Sequence, residues 1–155
     1  MHNFLVGELG VVVHNNCLDD LHDIYKSIIN KKALRHILRG DVKKGKAGGV
    51  HHKSAIKAGT AKKIGTQTQG PNGLYKVEVK DANGNWIPKK TNGGYSTFFP
   101  DNWDQIRTMD EIAHAKKALT LVKGNEYAGF SVDGLIEIRM YLKDDGTIIS
   151  AFPKF

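Results

Sequence analysis

Two short segments carry the residue types needed for acid–base chemistry: His36-Ile-Leu-Arg-Gly-Asp41 and Gly48-Gly-Val-His51-His52. Imidazole titrates near neutrality, so one histidine can take up a proton while another gives one away. The stretch between them is rich in Lys and Gly and reads as a cationic loop of little bulk. Gly48 and Gly49 allow close backbone approach and can turn N–H groups toward an anion. Histidines, amides and lysines in this combination suit cleavage of a phosphodiester without a metal. From the residues alone either histidine can be the base, and either His51 or His52 can face the substrate. A histidine trio on zinc is a rival use of the same side chains. Against it, Asp41 is the one acidic residue close in sequence, and the surrounding lysines would repel a cation. A histidine such as His36, near a helix end, also commonly does no more than cap or pack. His2, His14, His22 and His114 are expected to have no catalytic role.

The bulk properties favour a polyanionic partner. The 155 residues suffice for one domain with a proper core, and 40% hydrophobic with 25% charged content is ordinary for a globular protein. Net charge is +7 and the isoelectric point is near 9.4. From Arg35 to Lys80 basic residues outnumber acidic ones, so the charge gathers around the histidines. Lys43, Lys44, Lys46, Lys62 and Lys63 read as phosphate contacts or, more plainly, as a solvated surface. The single cysteine, Cys17, permits no intrachain disulfide and no Cys-rich zinc site. No run approaches the roughly 18 apolar residues of a membrane-spanning helix. The first residues lack the basic and apolar regions of a signal peptide.

The elements that must position the histidines follow from periodicity. Residues 4–13 read as two short strands about a glycine. From Leu18 to Leu38, Leu18, Leu21, Ile24, Tyr25, Ile28 and Ile29 repeat at helical spacing, with Asn16 as N-cap and Asp19 and Asp20 in the first turn. A second helical piece, Ala33–Arg39, ends at Gly40 and sets His36 near its C-terminus. Residues 40–73 read as loops around one short helix near 52–58. Leu74–Lys80 alternates as a strand, Asn83-Gly84 is a hairpin turn, and strands follow at 86–90 and 93–99. Pro100–Trp103 opens a helix, capped by Asp101 and running to about Leu121. Strands at 127–132, 135–143 and 147–152 complete an α+β pattern: a small N-terminal helical lobe, carrying both histidines, packed on an antiparallel β-sheet lobe with one inserted helix. The active site is expected in the cleft between them. Phe98, Phe99, Trp103 and His114 are read as core.

The motifs resemble a known family. His-Ile-Leu-Arg-Gly-Asp, Gly-Gly-Val-His-His, Tyr95-Ser-Thr-Phe-Phe-Pro100 with Trp103, and Ala151-Phe-Pro-Lys154 are similar in type and order to the EndoU endoribonucleases. They are most like the bacterial EndoU domains that form C-terminal payloads of polymorphic and contact-dependent inhibition toxins, and a comparable order occurs in the coronavirus uridylate-specific endoribonuclease. The resemblance runs from about Ala33 to Phe155. It implies an EndoU-type fold and RNA cleavage by transesterification, yielding a 2′,3′-cyclic phosphate and a 5′-hydroxyl, with tRNA a candidate substrate and uridine a candidate preference. By resemblance His51 is the base and His36 the acid. The family lysine aligns with Lys89 or Lys90, with Lys89 preferred, and Thr97, beside Ser96, takes the Ser/Thr position. Gly48 and Gly49 would offer amides to the phosphate. Phe152 stands where viral relatives have tyrosine, so stacking is kept and a hydroxyl lost; Tyr141 or Tyr95 can compensate.

The upstream stretch His2–Cys17 resembles the tail of a Hint (intein-like) domain, ending in His14-Asn15-Asn16-Cys17. Residues 1–17 are therefore read as a residual Hint-like tail or linker without autoprocessing activity, and 18–155 as the nuclease domain. No metal, cofactor or membrane insertion is expected. The resemblance implies a cognate immunity protein, and delivery as part of a larger secreted or cell-surface toxin that acts in the target-cell cytoplasm.

Overall fold

The computed structural model describes residues 18–43, 46–81 and 95–155. The Hint-like stretch, the Asn16 cap, the Asn83-Gly84 turn and the strand read at 86–90 lie outside the described residues. In chain order the elements are α1 (Leu18–Tyr25), α2 (Lys31–Leu38), β1 (Asp41–Lys43), β2 (Lys46–Gly48), α3 (Ser54–Lys57), β3 (Ala61–Gln69), β4 (Tyr75–Asp81), β5 (Tyr95–Phe98), α4 (Gln105–Lys116), β6 (Thr120–Lys123), β7 (Glu126–Phe130), β8 (Glu137–Leu142) and β9 (Ile148–Pro153). The strands form an antiparallel β1–β2 ribbon, a sheet ordered β3-β4-β5 and a sheet ordered β6-β7-β8-β9. The α+β class is as read from the sequence, but the strands divide into two sheets, each with its own core.

The larger core lies between helices and the four-stranded sheet. Leu21 and Tyr25 of α1, Leu34, Ile37 and Leu38 of α2, and Met109 and Ile112 of α4 meet Ile138, Met140, Ile148 and Ala151. Each of the Leu, Ile and Met side chains contributes about 1.5–3 kcal/mol on full burial. The helical stripe expected across 18–38 is broken, because Asn30 caps α2 by accepting from the Ala33 N–H at 2.8 Å. Ile24 on α1 is 47% exposed, while Ile29, in the link between the helices, is buried. The Tyr25 hydroxyl reaches α4, donating to the Asp110 carboxylate at 2.7 Å with the Ile106 carbonyl 3.1 Å away. The smaller core gathers Val50, Ala55, Ala61, Tyr75, Val77, Val79 and Phe98.

Two boundaries depart from expectation. Asp101 does not cap α4; Asp104 does, accepting from the Arg107 N–H at 2.7 Å. Asp101 instead accepts a 2.6 Å hydrogen bond from the Tyr75 hydroxyl, so Pro100–Trp103 forms a turn that ties the two cores. The helix also stops at Lys116, and residues 120–123 form the exposed strand β6. The unexpected strand β3 is exposed along most of its length. With only Ala61 buried, it offers no alternation to read.

Candidate active site

The site begins at the C-terminal turn of α2. His36 lies in that turn, and its Nδ1–H donates to the Asp41 carboxylate at 3.0 Å. Gly40 ends the helix and turns the chain back, which brings a residue five positions on beside the imidazole. Asp41 pairs with Gly48 across the β1–β2 ribbon. A Cβ on Gly48 would lie 2.8 Å from the Asp41 carboxylate and 3.2 Å from the His36 ring. At Gly49, where φ is +71°, a Cβ would fall 1.8 Å from the His36 carbonyl oxygen. The glycine pair therefore lets a second loop lie directly on His36, an approach that no side chain permits.

That loop is strapped on both sides. The Val50 N–H donates to the His36 carbonyl at 3.0 Å, the His51 N–H donates to the Ile37 carbonyl at 2.8 Å, and the Phe99 N–H donates to the His51 carbonyl at 2.9 Å. The Ser96 hydroxyl donates to the Gly49 carbonyl at 3.1 Å. His51 thus belongs to the strap between α2 and β5, not to the helical lobe as expected.

The His51 ring is 6% exposed, and its Nδ1–H donates to the Thr97 carbonyl at 2.7 Å. A carbonyl only accepts, so Nδ1 carries a hydrogen, and when the ring is neutral its lone pair is on Nε2. Phe152 lies against the ring at 5.6 Å between centroids, and Tyr141 lies 6.1 Å beyond Phe152. Phe152 pairs with Arg139 and Tyr141 with Ser150. Tyr141 and Phe152 therefore share the face of the four-stranded sheet opposite Met140 and Ala151. Arg139, on the same face, donates to Glu137 at 2.6 Å and to Glu126 at 2.8 Å.

His52 behaves differently. It is 1% exposed; its Nε2–H donates to the Trp103 carbonyl at 2.8 Å and its Nδ1 accepts from the Ser54 N–H at 3.0 Å. Burial holds its imidazole below the ordinary histidine range. Both ring nitrogens are committed to main chain, so this side chain pins the strap to the turn before α4. Among the described residues no three His, Cys, Asp or Glu side chains converge as metal ligands, and the zinc trio is not assembled.

The structure brings together His36, Gly48, Gly49, His51, Ser96, Thr97, Phe152 and Tyr141. Lys89 and Lys90 lie outside the described residues. Asp41 was legible as part of a motif, but its hold on His36 was missed; the sign of it is an acidic residue just past the glycine that ends a helix. A separate groove of about 540 Å³ is lined by Gln69, Asn72, Tyr75, Asp101, Trp103 and Arg107 among others and includes none of these residues. Its lining has no imidazole, so the candidate histidines lie elsewhere.

The family model described as bacterial EndoU nuclease matches residues 30–154. The chain belongs to that family. It is also similar to a protein named Toxin from Bacillus cereus, 40% identical over 124 residues, covering 77% of this chain and 22% of the relative. The chain thus spans about a fifth of the length of that curated relative.

Proposed function

We propose that this domain is the nuclease payload of a bacterial toxin and cuts RNA by transesterification, without a metal in the chemical step. The observation that carries this reading is the pair of imidazoles fixed through Nδ1 by different acceptors: His51 by the Thr97 carbonyl and His36 by the Asp41 carboxylate. In the neutral ring His51 presents its lone pair on Nε2, as a base requires. It removes the 2′-hydroxyl proton, the 2′-oxygen attacks the adjacent phosphorus, and the phosphorus–O5′ bond breaks. His36, whose carboxylate partner faces the ring, delivers a proton from Nε2 to the departing 5′-oxygen. The products are a 2′,3′-cyclic phosphate and a 5′-hydroxyl.

The phosphorane gains negative charge during attack. Lys89, or Lys90 in its place, and the amides of Gly48 and Gly49 are assigned to that charge, where a single preorganised donor is worth on the order of 3 kcal/mol. Phe152 supplies a stacking face for the base, backed by Tyr141. Ser96 already holds Gly49, so Thr97 is the better candidate for a base edge and a uridine preference. A cognate immunity protein, acidic enough to meet the +7 charge, would protect the producer. The name and greater length of the relative support delivery as part of a larger toxin, and tRNA is the candidate target.

The test uses a uridine-containing RNA and the same oligonucleotide with 2′-deoxyuridine at the cut site, both in EDTA. Cleavage of the first alone, ending in a cyclic phosphate and lost in His36→Ala, is expected. Cleavage of both strands on adding Mn²⁺ or Zn²⁺, and of neither without it, would replace this reading with a metal-dependent nuclease. Binding without any cleavage would make the domain an RNA-binding module.

A further inference from the structure

Pairing in the three-stranded sheet gives its two faces opposite characters. Tyr75, Val77, Val79 and Phe98 point into the smaller core. On the other face, Thr97 pairs with Lys76, Tyr95 with Glu78, Thr68 with Lys76 and Lys62 with Lys80, and directly opposed side chains share a face. This outer face thus carries Lys62, Lys76 and Lys80 against one acid, Glu78. Two aromatic rings flank its central cation: the Lys76 ammonium sits 5.6 Å from the Tyr95 ring centroid and 5.1 Å from that of Phe155. Phe155 lies over Gly70, where a Cβ would meet its ring at 2.5 Å, and remains 40% exposed. Lys76 is directly opposite Thr97, whose carbonyl holds His51, so the face is continuous with the candidate active site.

We propose that this outer face is a platform for single-stranded RNA, which carries the nucleotides flanking the scissile phosphate away from His51. Lys76 and Lys80 meet backbone phosphates, while Phe155 and Tyr95 offer ring faces to bases. Interleaved cations and aromatics suit an unpaired strand, because every base has a face to stack while a duplex hides its faces. The proposal rests on the reading of the domain as an RNA-cutting enzyme, but it is a statement about binding and can be measured apart from cleavage.

The experiment is fluorescence anisotropy with a labelled 2′-O-methyl dodecanucleotide, which lacks the nucleophile and cannot be cut. Lys76→Gln and Phe155→Leu each weaken binding about tenfold, and Lys76→Gln lowers the salt slope by about one. Lys123→Gln, the same charge change on β6, leaves both in place. Unchanged affinity in Lys76→Gln and Phe155→Leu, with melting temperatures preserved, overturns the platform, as does equal affinity for a duplex of the same length. Cleavage of the unmodified strand is scored separately. Binding that depends on Lys76 and Phe155 without cleavage keeps the platform and removes the catalytic reading; cleavage with unaltered binding does the reverse.

Discussion

The Nδ1 of His51 lies 2.7 Å from the carbonyl oxygen of Thr97, and this contact fixes both the ring's orientation and its tautomer. The acceptor is a main-chain carbonyl, so Nδ1 is the donor and Nε2 is the nitrogen that would exchange a proton in the proposed reaction. His51→Ala should lower kcat for RNA cleavage by about 10²–10⁴-fold, and His36→Ala by a similar factor. The double variant should be little worse than either, because the two act in one step. Single-turnover cleavage with matched circular dichroism spectra measures this; additive losses would mean that the histidines work independently.

Asp41 accepts from the His36 Nδ1–H at 3.0 Å, which makes it a positioning residue for the proposed acid. Asp41→Ala should reduce kcat about tenfold with KM nearly unchanged, whereas Asp41→Asn, which keeps an acceptor for Nδ1–H, should recover part of the loss. Steady-state kinetics separate the two parameters. A change confined to KM would place Asp41 in binding instead.

Gly49→Ala should be among the most damaging small substitutions in the molecule. Its methyl group would land on the His36 carbonyl, and φ is +71°. We expect a loss of at least about 2 kcal/mol in urea unfolding, with activity falling further because the strap shifts His51. Wild-type stability in this variant would show that the loop can lift off α2 at no cost.

The buried His52 links stability to pH. Burial holds its folded-state pKa below the ordinary value, Lys53 adds to that, and the bond to Trp103 acts in the opposite direction. The unfolded chain therefore takes up a proton near pH 6.5, about the free-histidine value, before the folded chain does. The contribution of neutral His52 is fully present above that pH and is lost as pH falls toward the folded-state value, at no more than about 1.4 kcal/mol per pH unit. Urea midpoints between pH 7.5 and 5 should fall for wild type and run flatter for His52→Gln.

The residues of the candidate site were more legible than their supports. His36, His51 and Phe152 stand out because their types and motif order are unusual, and strand β4 announces itself by alternation. The supports do not. Asp41 acts through a turn, Thr97 through its carbonyl, and His52 looked equivalent to His51 until burial separated them. Strand β3 escaped because an edge exposed on both faces has no hydrophobic period. The end of α4 was misplaced because Thr120–Lys123 follows helix-compatible residues, and its strand character comes from pairing with β7. Long-range hydrogen bonds of this kind leave no local signature.

The placement of β9 bears on when, during synthesis, the proposed nuclease becomes able to cut. Ile148 donates its N–H to the Ile28 carbonyl at 2.9 Å and bridges Ile29, while Phe152 covers His51. Among the described strands β9 is the last to leave the ribosome, so a nascent chain stalled before residue 148 should show no cleavage even with both histidines already emerged. Cleavage then waits for the segment that carries β9, so the histidines are made well before the fold that could use them.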